Sequence, residues 1–198
     1  MTGPFGQDPA LAQQAATLVA RASVMGVLPV GTATTELNVK LLDTVLVGLA
    51  DNGVAVRQLL RRETETTQSL AATVGAALEQ SEHSPMPAGE WPSLLATLDE
   101  QLLAQLLGVS LSSVRRYAAG TRPTPQDVAD RLHVLALIIT DLAGGYNDFG
   151  IRRWFTRPRT QLQGDAPVAL LSRGWDPEGD AVQRLLELAA GLTGAGAS

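Results

Sequence analysis

The stretch from Asp99 to Pro123, D-E-Q-L-L-A-Q-L-L-G-V-S-L-S-S-V-R-R-Y-A-A-G-T-R-P, constrains this chain more than any other. Its spacing predicts two short helices joined by a tight turn. Leu103, Ala104 and Leu107 recur at helical spacing, and Gly108 falls where a helix ends in a residue of positive φ. Ser110 is placed to cap a second helix by accepting the amide of Ser113. Within that helix Leu111, Val114 and Tyr117 share one face, Ser112, Ser113, Arg115 and Arg116 point elsewhere, and Gly120 supplies the stop. A small residue four before the turn glycine (Ala104) and a β-branched one six after it (Val114) let the two helices cross closely.

Two helices so joined make a helix-turn-helix, whose second helix lies in the DNA major groove. An ordinary helical hairpin with two surface arginines fits the same residues. Two placements favour DNA. Arg115 and Arg116 fall on the side that a recognition helix offers to bases and phosphates, and Arg122 follows just past the helix end. The candidate DNA contacts are therefore Ser112, Ser113, Arg115, Arg116 and Arg122, and the partner they imply is duplex DNA carrying an operator, bound by a homodimer.

Charge supports that placement. The formal net charge of −5 argues against a sequence-blind polyanion binder. The average conceals an asymmetry: residues 1–90 are net −4, whereas residues 115–159 are net +4, with eight arginines against four acids. Hydrophobic residues make up 45% of the chain but aromatics only 4%, so the core must be aliphatic and, with alanine, leucine and valine prominent, helical. At 198 residues the chain is long enough for one large or two small domains.

There is no cysteine, which excludes disulfides and thiolate metal sites. The two histidines lie far apart without ligand-spaced companions; His83 reads as a solvated linker residue and His133 as a partly exposed helix residue. No basic segment followed by an apolar core opens the chain, and no apolar run is long enough to span a bilayer, so a cytoplasmic protein with no membrane partner is expected. No phosphate-binding glycine loop, Ser/His/Asp set or paired-carboxylate constellation stands out. Neither an enzyme nor a cofactor is expected.

The expected fold class is all-α, in four parts: a helical unit over 1–80 of unknown role, a linker over 81–92, the helix-turn-helix domain over 93–145 and a carboxy-terminal module over 146–198. Asp8-Pro9 reads as a cap and first helical residue, for a helix ended by Gly26. Thr34 or Thr35 caps a second helix, which Asp51-Asn52-Gly53 ends. A longer helical pattern follows from Val54 to about Glu82, polar in its centre from Arg61 to Ser69. It fits either a surface helix of an amino-terminal bundle or a dimerisation arm. Ser81 to Pro92 holds three prolines and a glycine, which marks it as the linker, with Trp91 docking on the next domain. Beyond the helix-turn-helix, Thr124-Pro125 opens a helix to Leu142 that is apolar almost all round.

Residues 147–192 read as three short helices: one capped by Asp148 and halted before Pro158, one around Pro167, and one opened by Asp176-Pro177 and ended by Gly191. Trp154, Phe155, Pro158, Leu162, Gly164, Pro167, Leu170, Leu171, Gly174, Val182, Leu185, Leu186 and Gly191 follow a pattern of spaced hydrophobics, Pro and Gly. With the helix-turn-helix, which resembles that of phage repressors and their Xre relatives, this pattern resembles the Xre–MbcA–ParS antitoxin family over about residues 95–192. The chain departs from the family at Glu100, where many relatives carry a phosphate-binding glutamine, at Leu111, where they often carry a polar base reader, and at Arg159, where they usually have Asn. The resemblance implies an all-helical, dimeric antitoxin whose carboxy-terminal part covers the cleft of a RES-type toxin that destroys NAD, while its helix-turn-helix represses the operon. Trp154, Trp175 and Leu192 are the partner-binding residues this implies. The residues by themselves also fit a stand-alone transcription factor with an amino-terminal sensing or protein-binding domain, or an interaction protein that does not bind DNA.

Overall fold

A computed structural model of the chain describes residues 4–28, 37–54, 67–172 and 174–194. The fold is all-α, with no strand among the described residues. It divides into two units, Met1–Met86 and Pro87–Ser198.

The first unit contains α1 (Pro4–Gln7), α2 (Pro9–Val24), α3 (Val39–Asp51) and α4 (Thr67–Glu82). Its start is set locally: Asp8 Oδ1 accepts the amides of Ala10 and Leu11, both at 3.0 Å, and Pro9 takes the first helical position. Gly26, at φ 75°, follows the end of α2, and Gly53, at φ 89°, follows α3. The cap of α3 is Asn38, whose Oδ1 accepts the amide of Leu41 at 2.9 Å. That corrects the expectation of a threonine cap, and Thr34 and Thr35 lie outside the described residues. Leu11, Leu18, Met25, Leu42, Leu49 and Val74 form the aliphatic core. A Cβ on Gly48 would stand 2.4 Å from Val27 Cγ1, so a larger residue there would have to displace the Val27 side chain. The buried Arg21 donates to the Leu78 carbonyl at 2.9 Å, Ser81 Oγ at 3.0 Å and Glu82 Oε1 at 3.3 Å. A cation thus ties α2 to the carboxy-terminal end of α4, where the helix dipole favours it. Most of the polar stretch expected from Arg61 to Ser69 lies outside the described residues, and with it much of the proposed dimerisation arm.

The second unit contains α5 (Pro87–Thr97), α6 (Glu100–Leu107), α7 (Leu111–Ala118), α8 (Gln126–Ala143), α9 (Asp148–Thr156), α10 (Pro167–Leu170) and α11 (Asp180–Gly194), with a 3₁₀ turn at Thr160–Leu162. The stretch expected to be a linker over 81–92 is largely helical. Ser81 and Glu82 finish α4, and α5 already begins at Pro87. Proline is tolerated at a first helical position because its missing N–H would have had no helical partner, and Pro92 sits inside α5 on its exposed side.

The centre of this unit is α8, on which α5, α6, α9 and α11 pack. Thirteen of its eighteen residues are buried, so its wide apolar face is satisfied inside the unit. Its amino-terminal cap position is Pro125 with no side-chain bond; Thr124 instead accepts a hydrogen bond from Trp91 Nε1 at 3.0 Å. His133, expected to be partly exposed, is only 3% exposed and lies 2.6 Å through Nδ1 from Oε1 of Glu90, which is fully buried on α5. The reason is tertiary: α5 packs on α8 and brings Glu90 against His133. Towards the carboxy terminus three boundaries move. The cap of α9 is Asn147, accepting the Gly150 amide at 2.9 Å, in place of Asp148. Asp176 to Gly179 forms a turn, closed by the Gly179 amide on the Asp176 carbonyl, so α11 starts at Asp180. It then continues past Gly191 to Gly194.

All three tryptophans belong to the second unit, so indole fluorescence reports on that unit alone. His133→Leu strands the buried Glu90 carboxyl and is expected to cost about 3–5 kcal/mol of its stability. Replacing both residues by leucine is expected to recover most of the loss. Urea unfolding followed by indole fluorescence measures both variants together with Glu90→Leu, and single-variant losses that simply add in the double variant would show the two groups to be uncoupled.

Candidate nucleic-acid interface

The geometry around α6 and α7 follows from local chemistry. Asp99 Oδ1 accepts the Leu102 amide at 2.8 Å and starts α6, which Gly108 ends at φ 68°. Ser110 Oγ accepts the Ser113 amide at 3.1 Å and lies 3.0 Å from both the Ser112 and Ser113 hydroxyls, which starts α7. Ala104 and Val114 are buried, and α6 packs on α7. Gly120, at φ 65°, turns the chain away after α7.

An aromatic stack fixes α7 against the rest of its unit. Tyr117 is buried with its ring centroid 5.9 Å from that of Trp91, and the Arg122 guanidinium lies 5.6 Å over the same ring. Trp91, expected to dock from a linker, does so as a core residue of α5, and its bond to Thr124 holds the segment between α7 and α8. Leu111 departs from the expected apolar face: it is 41% exposed, because it stands at the first position of α7, ahead of the crossing.

Of the expected DNA contacts, Ser112, Arg115, Arg116 and Arg122 are exposed and Ser113 is half-buried. They are not equally available. Arg115 donates from Nε to Glu100 Oε2 at 2.8 Å, and its Nη2 lies 2.8 Å from the same oxygen. The hydrogen bond Arg115 donates to Glu100, then the Glu100 charge, hold the Arg115 guanidinium above the ordinary arginine range, against a lowering by burial. Arg116 spends its Nε on the Ser112 carbonyl of its own helix at 3.1 Å, which leaves its terminal nitrogens projecting from α7.

The expected partner residues fare differently. Trp154 and Trp175 are core residues, not surface ones: Trp154 is buried edge-on to Phe155 at 5.1 Å, and Trp175 donates from Nε1 to the Leu106 carbonyl at 2.7 Å. An indole with this much apolar area is worth more inside an aliphatic core than on its surface. Leu192 is half-buried on α11. What sequence reading missed is Phe149, 64% exposed on α9, which lines a cleft of about 480 Å³ together with Gln101 and Gln105 of α6 and Arg152 and Arg153. The signal was present in Asn-Asp-Phe-Gly, where a large apolar residue follows directly on a helix cap.

Among the described residues no cluster of three or more His, Asp or Glu side chains is placed to hold a metal ion, and no helix is long and apolar enough to cross a membrane. No family model, curated protein or solved structure matches this chain.

Ser110→Ala removes the acceptor for the Ser113 amide and is expected to cost about 1 kcal/mol, while Ser110→Asp keeps the cap and most of the stability. Urea midpoints from indole fluorescence distinguish the two, and an alanine variant as stable as the parent would show that α7 does not depend on this cap.

Proposed function

We propose that this chain is a DNA-binding, antitoxin-like transcriptional repressor that acts as a homodimer and neutralises a RES-type NAD-degrading toxin. The observation that carries the DNA part is α7, a helix packed on α6 that keeps Val114 and Tyr117 inside while Ser112, Arg115 and Arg116 stand outside. In this reading α7 is the recognition helix. A two-fold dimer places two such helices one helical turn, roughly 34 Å, apart on a pseudo-palindrome. Arg116 reads guanine through its terminal nitrogens, and Arg122, held over Tyr117, meets phosphate. The toxin part rests on the resemblance of residues 95–192 to the antitoxin family. With Trp154 and Trp175 inside, contact with the toxin falls on Leu192 and the exposed Phe149.

One observation favours a second reading, an interaction protein that does not bind DNA: Glu100 occupies the guanidinium of Arg115. The two readings separate on Glu100→Gln. For a DNA-binding protein this variant frees a cation beside the groove and tightens operator binding.

The test uses genomic fragments selected on the purified protein, then binding by fluorescence anisotropy at fixed salt. Arg116→Ala is expected to lose about 1–3 kcal/mol of discrimination at one base pair. Arg122→Ala is expected to weaken all sequences alike. Negligible effects from both, with no gain in Glu100→Gln, would remove α7 from any DNA interface. The toxin part is tested by co-expression with a RES-type toxin, scored by host growth and NAD level. Full-length protein is expected to protect and Phe149→Asp to protect less; no protection by the full chain would exclude neutralisation of that toxin.

A further inference from the structure

The end of α9 carries a group of cations that neither the fold nor the DNA reading uses. Arg153 and Arg157 are one helical turn apart and both exposed. Pro158 then turns the chain, and Arg159 follows with its backbone fixed: its amide donates to the Asp165 carbonyl at 3.0 Å, and its carbonyl accepts the amides of Leu162 and Gly164 at 3.0 and 2.9 Å. The three side chains line one cavity of about 440 Å³, with Tyr146, Thr160 and Gln161 completing its wall.

Two features show that this wall is built. The Arg159 guanidinium lies 4.7 Å over the Trp154 ring, and its Nη2 has only a 3.5 Å contact with the Trp154 carbonyl. Its Nε is buried with no hydrogen-bond partner, so most of its five donors are unclaimed. Gly150 is the second feature: a Cβ there would stand 2.8 Å from Cδ1 of Tyr146 and 3.1 Å from its Cβ, so glycine is what lets the Tyr146 side chain lie along α9 beside the cavity.

The charge is uncompensated. Among the described residues no carboxylate pairs with Arg153, Arg157 or Arg159. The carboxy-terminal dipole of α9 is worth about half an elementary charge, too little to balance three cations. Burial holds the Arg159 guanidinium below the ordinary arginine range, with Tyr146 raising it and Arg157 lowering it further. A ligand of opposite charge relieves this crowding, whereas a neutral one leaves it.

We infer that the cavity bounded by Tyr146, Arg153, Arg157 and Arg159 is a binding site for a small diphosphate anion, free or as the diphosphate group of a nucleotide. Guanidinium forks match phosphate oxygens in pairs, and three of them match the two to three negative charges of a diphosphate. The cavity volume is that of a small-molecule site. A duplex backbone is the poorer match, since Arg159 is held down on Trp154 within a concave wall and does not project from a ridge. Thr160 and Gln161 add hydroxyl and amide donors, and the Tyr146 ring offers a face for a nucleotide base.

Calorimetric titration of the full chain with pyrophosphate, ADP and adenosine at low salt tests this. Pyrophosphate and ADP are expected to bind with sub-millimolar affinity, and adenosine to give no heat. ADP binding more tightly than pyrophosphate assigns the site to a nucleotide; equal affinities assign it to the diphosphate alone. Arg157→Gln and Arg159→Lys, which keeps the charge but not the fork, are each expected to weaken binding about tenfold. Arg184→Gln, which removes an exposed cation from α11, is expected to leave it unchanged. Thermal melts by circular dichroism identify folded variants, and Arg153→Gln on the exposed side of α9 replaces any that fail. No pyrophosphate or ADP binding by the parent chain overturns the proposal, as does an equal loss in Arg184→Gln. Loss of duplex DNA binding in Arg157→Gln without any diphosphate binding by the parent also overturns it, and reassigns these arginines to the DNA backbone.

Discussion

The second unit depends on one constraint: α8 is apolar on nearly every side and must be covered on nearly every side. Such a helix fixes its neighbours, because α5, α6, α9 and α11 each have to supply an apolar face. With so few aromatic residues, the covering surfaces are mostly leucine, valine and alanine. The tryptophans are the exceptions, and two of them do a second job. Trp91 and Trp175 bury their rings and spend their N–H groups on Thr124 and on the Leu106 carbonyl. The second of these bonds satisfies a carbonyl in the last turn of α6, one that has no partner within its helix. Arg152 does the same for α5 by donating to the Thr97 carbonyl at 2.6 Å.

The buried Glu90–His133 contact belongs to the same construction but not to the same energetics. Two ionisable groups removed from water are on average no more stabilising than an apolar pair of equal volume, and Glu90 Oε2 has no partner at all. What such a pair provides is position. Glu90 reaches the imidazole only at one register of α5 against α8, and α5 also carries Trp91, on which Tyr117 of α7 rests. The orientation of α7 is therefore tied, through one aromatic contact and one polar one, to the central helix.

Much of this was legible in the sequence where the cause is local. Asp8 and Ser110 cap, and Gly53, Gly108 and Gly120 turn, because each acts within about four residues of itself. The burial of Ala104 and Val114 was legible for the same reason, and so was the apolar girth of α8. Where the cause is distant, the reading failed. His133 looked half-exposed because its cover comes from α5; the helix over residues 87–92 was hidden for a local reason instead, because proline at a first helical position is tolerated. Trp154 and Trp175 stood as partner residues on the resemblance alone, which carries a pattern of residues but not which of them the core takes in. Glu100 and Arg115 are fifteen residues apart, and their pairing appears only once α6 and α7 cross.

That pairing changes what the positive stretch 115–159 means. Of its eight arginines, Arg115 is held by Glu100, Arg131 by Asp127 and Arg152 by the Thr97 carbonyl, so three serve the fold. The remaining five fall into two groups. Arg116 and Arg122 flank α7, and Arg153, Arg157 and Arg159 gather around the end of α9. Each group sits in a chain of net charge −5, and in physiological salt its field fades within about 8 Å. Long-range attraction to polyanions is therefore weak, and whatever either group binds must be recognised at contact distance. For Arg116 and Arg122 that means base edges and phosphates presented in register with α7. For the α9 group it means an anion small enough to enter a cavity in which the half-buried guanidinium of Arg159 is already fixed on Trp154.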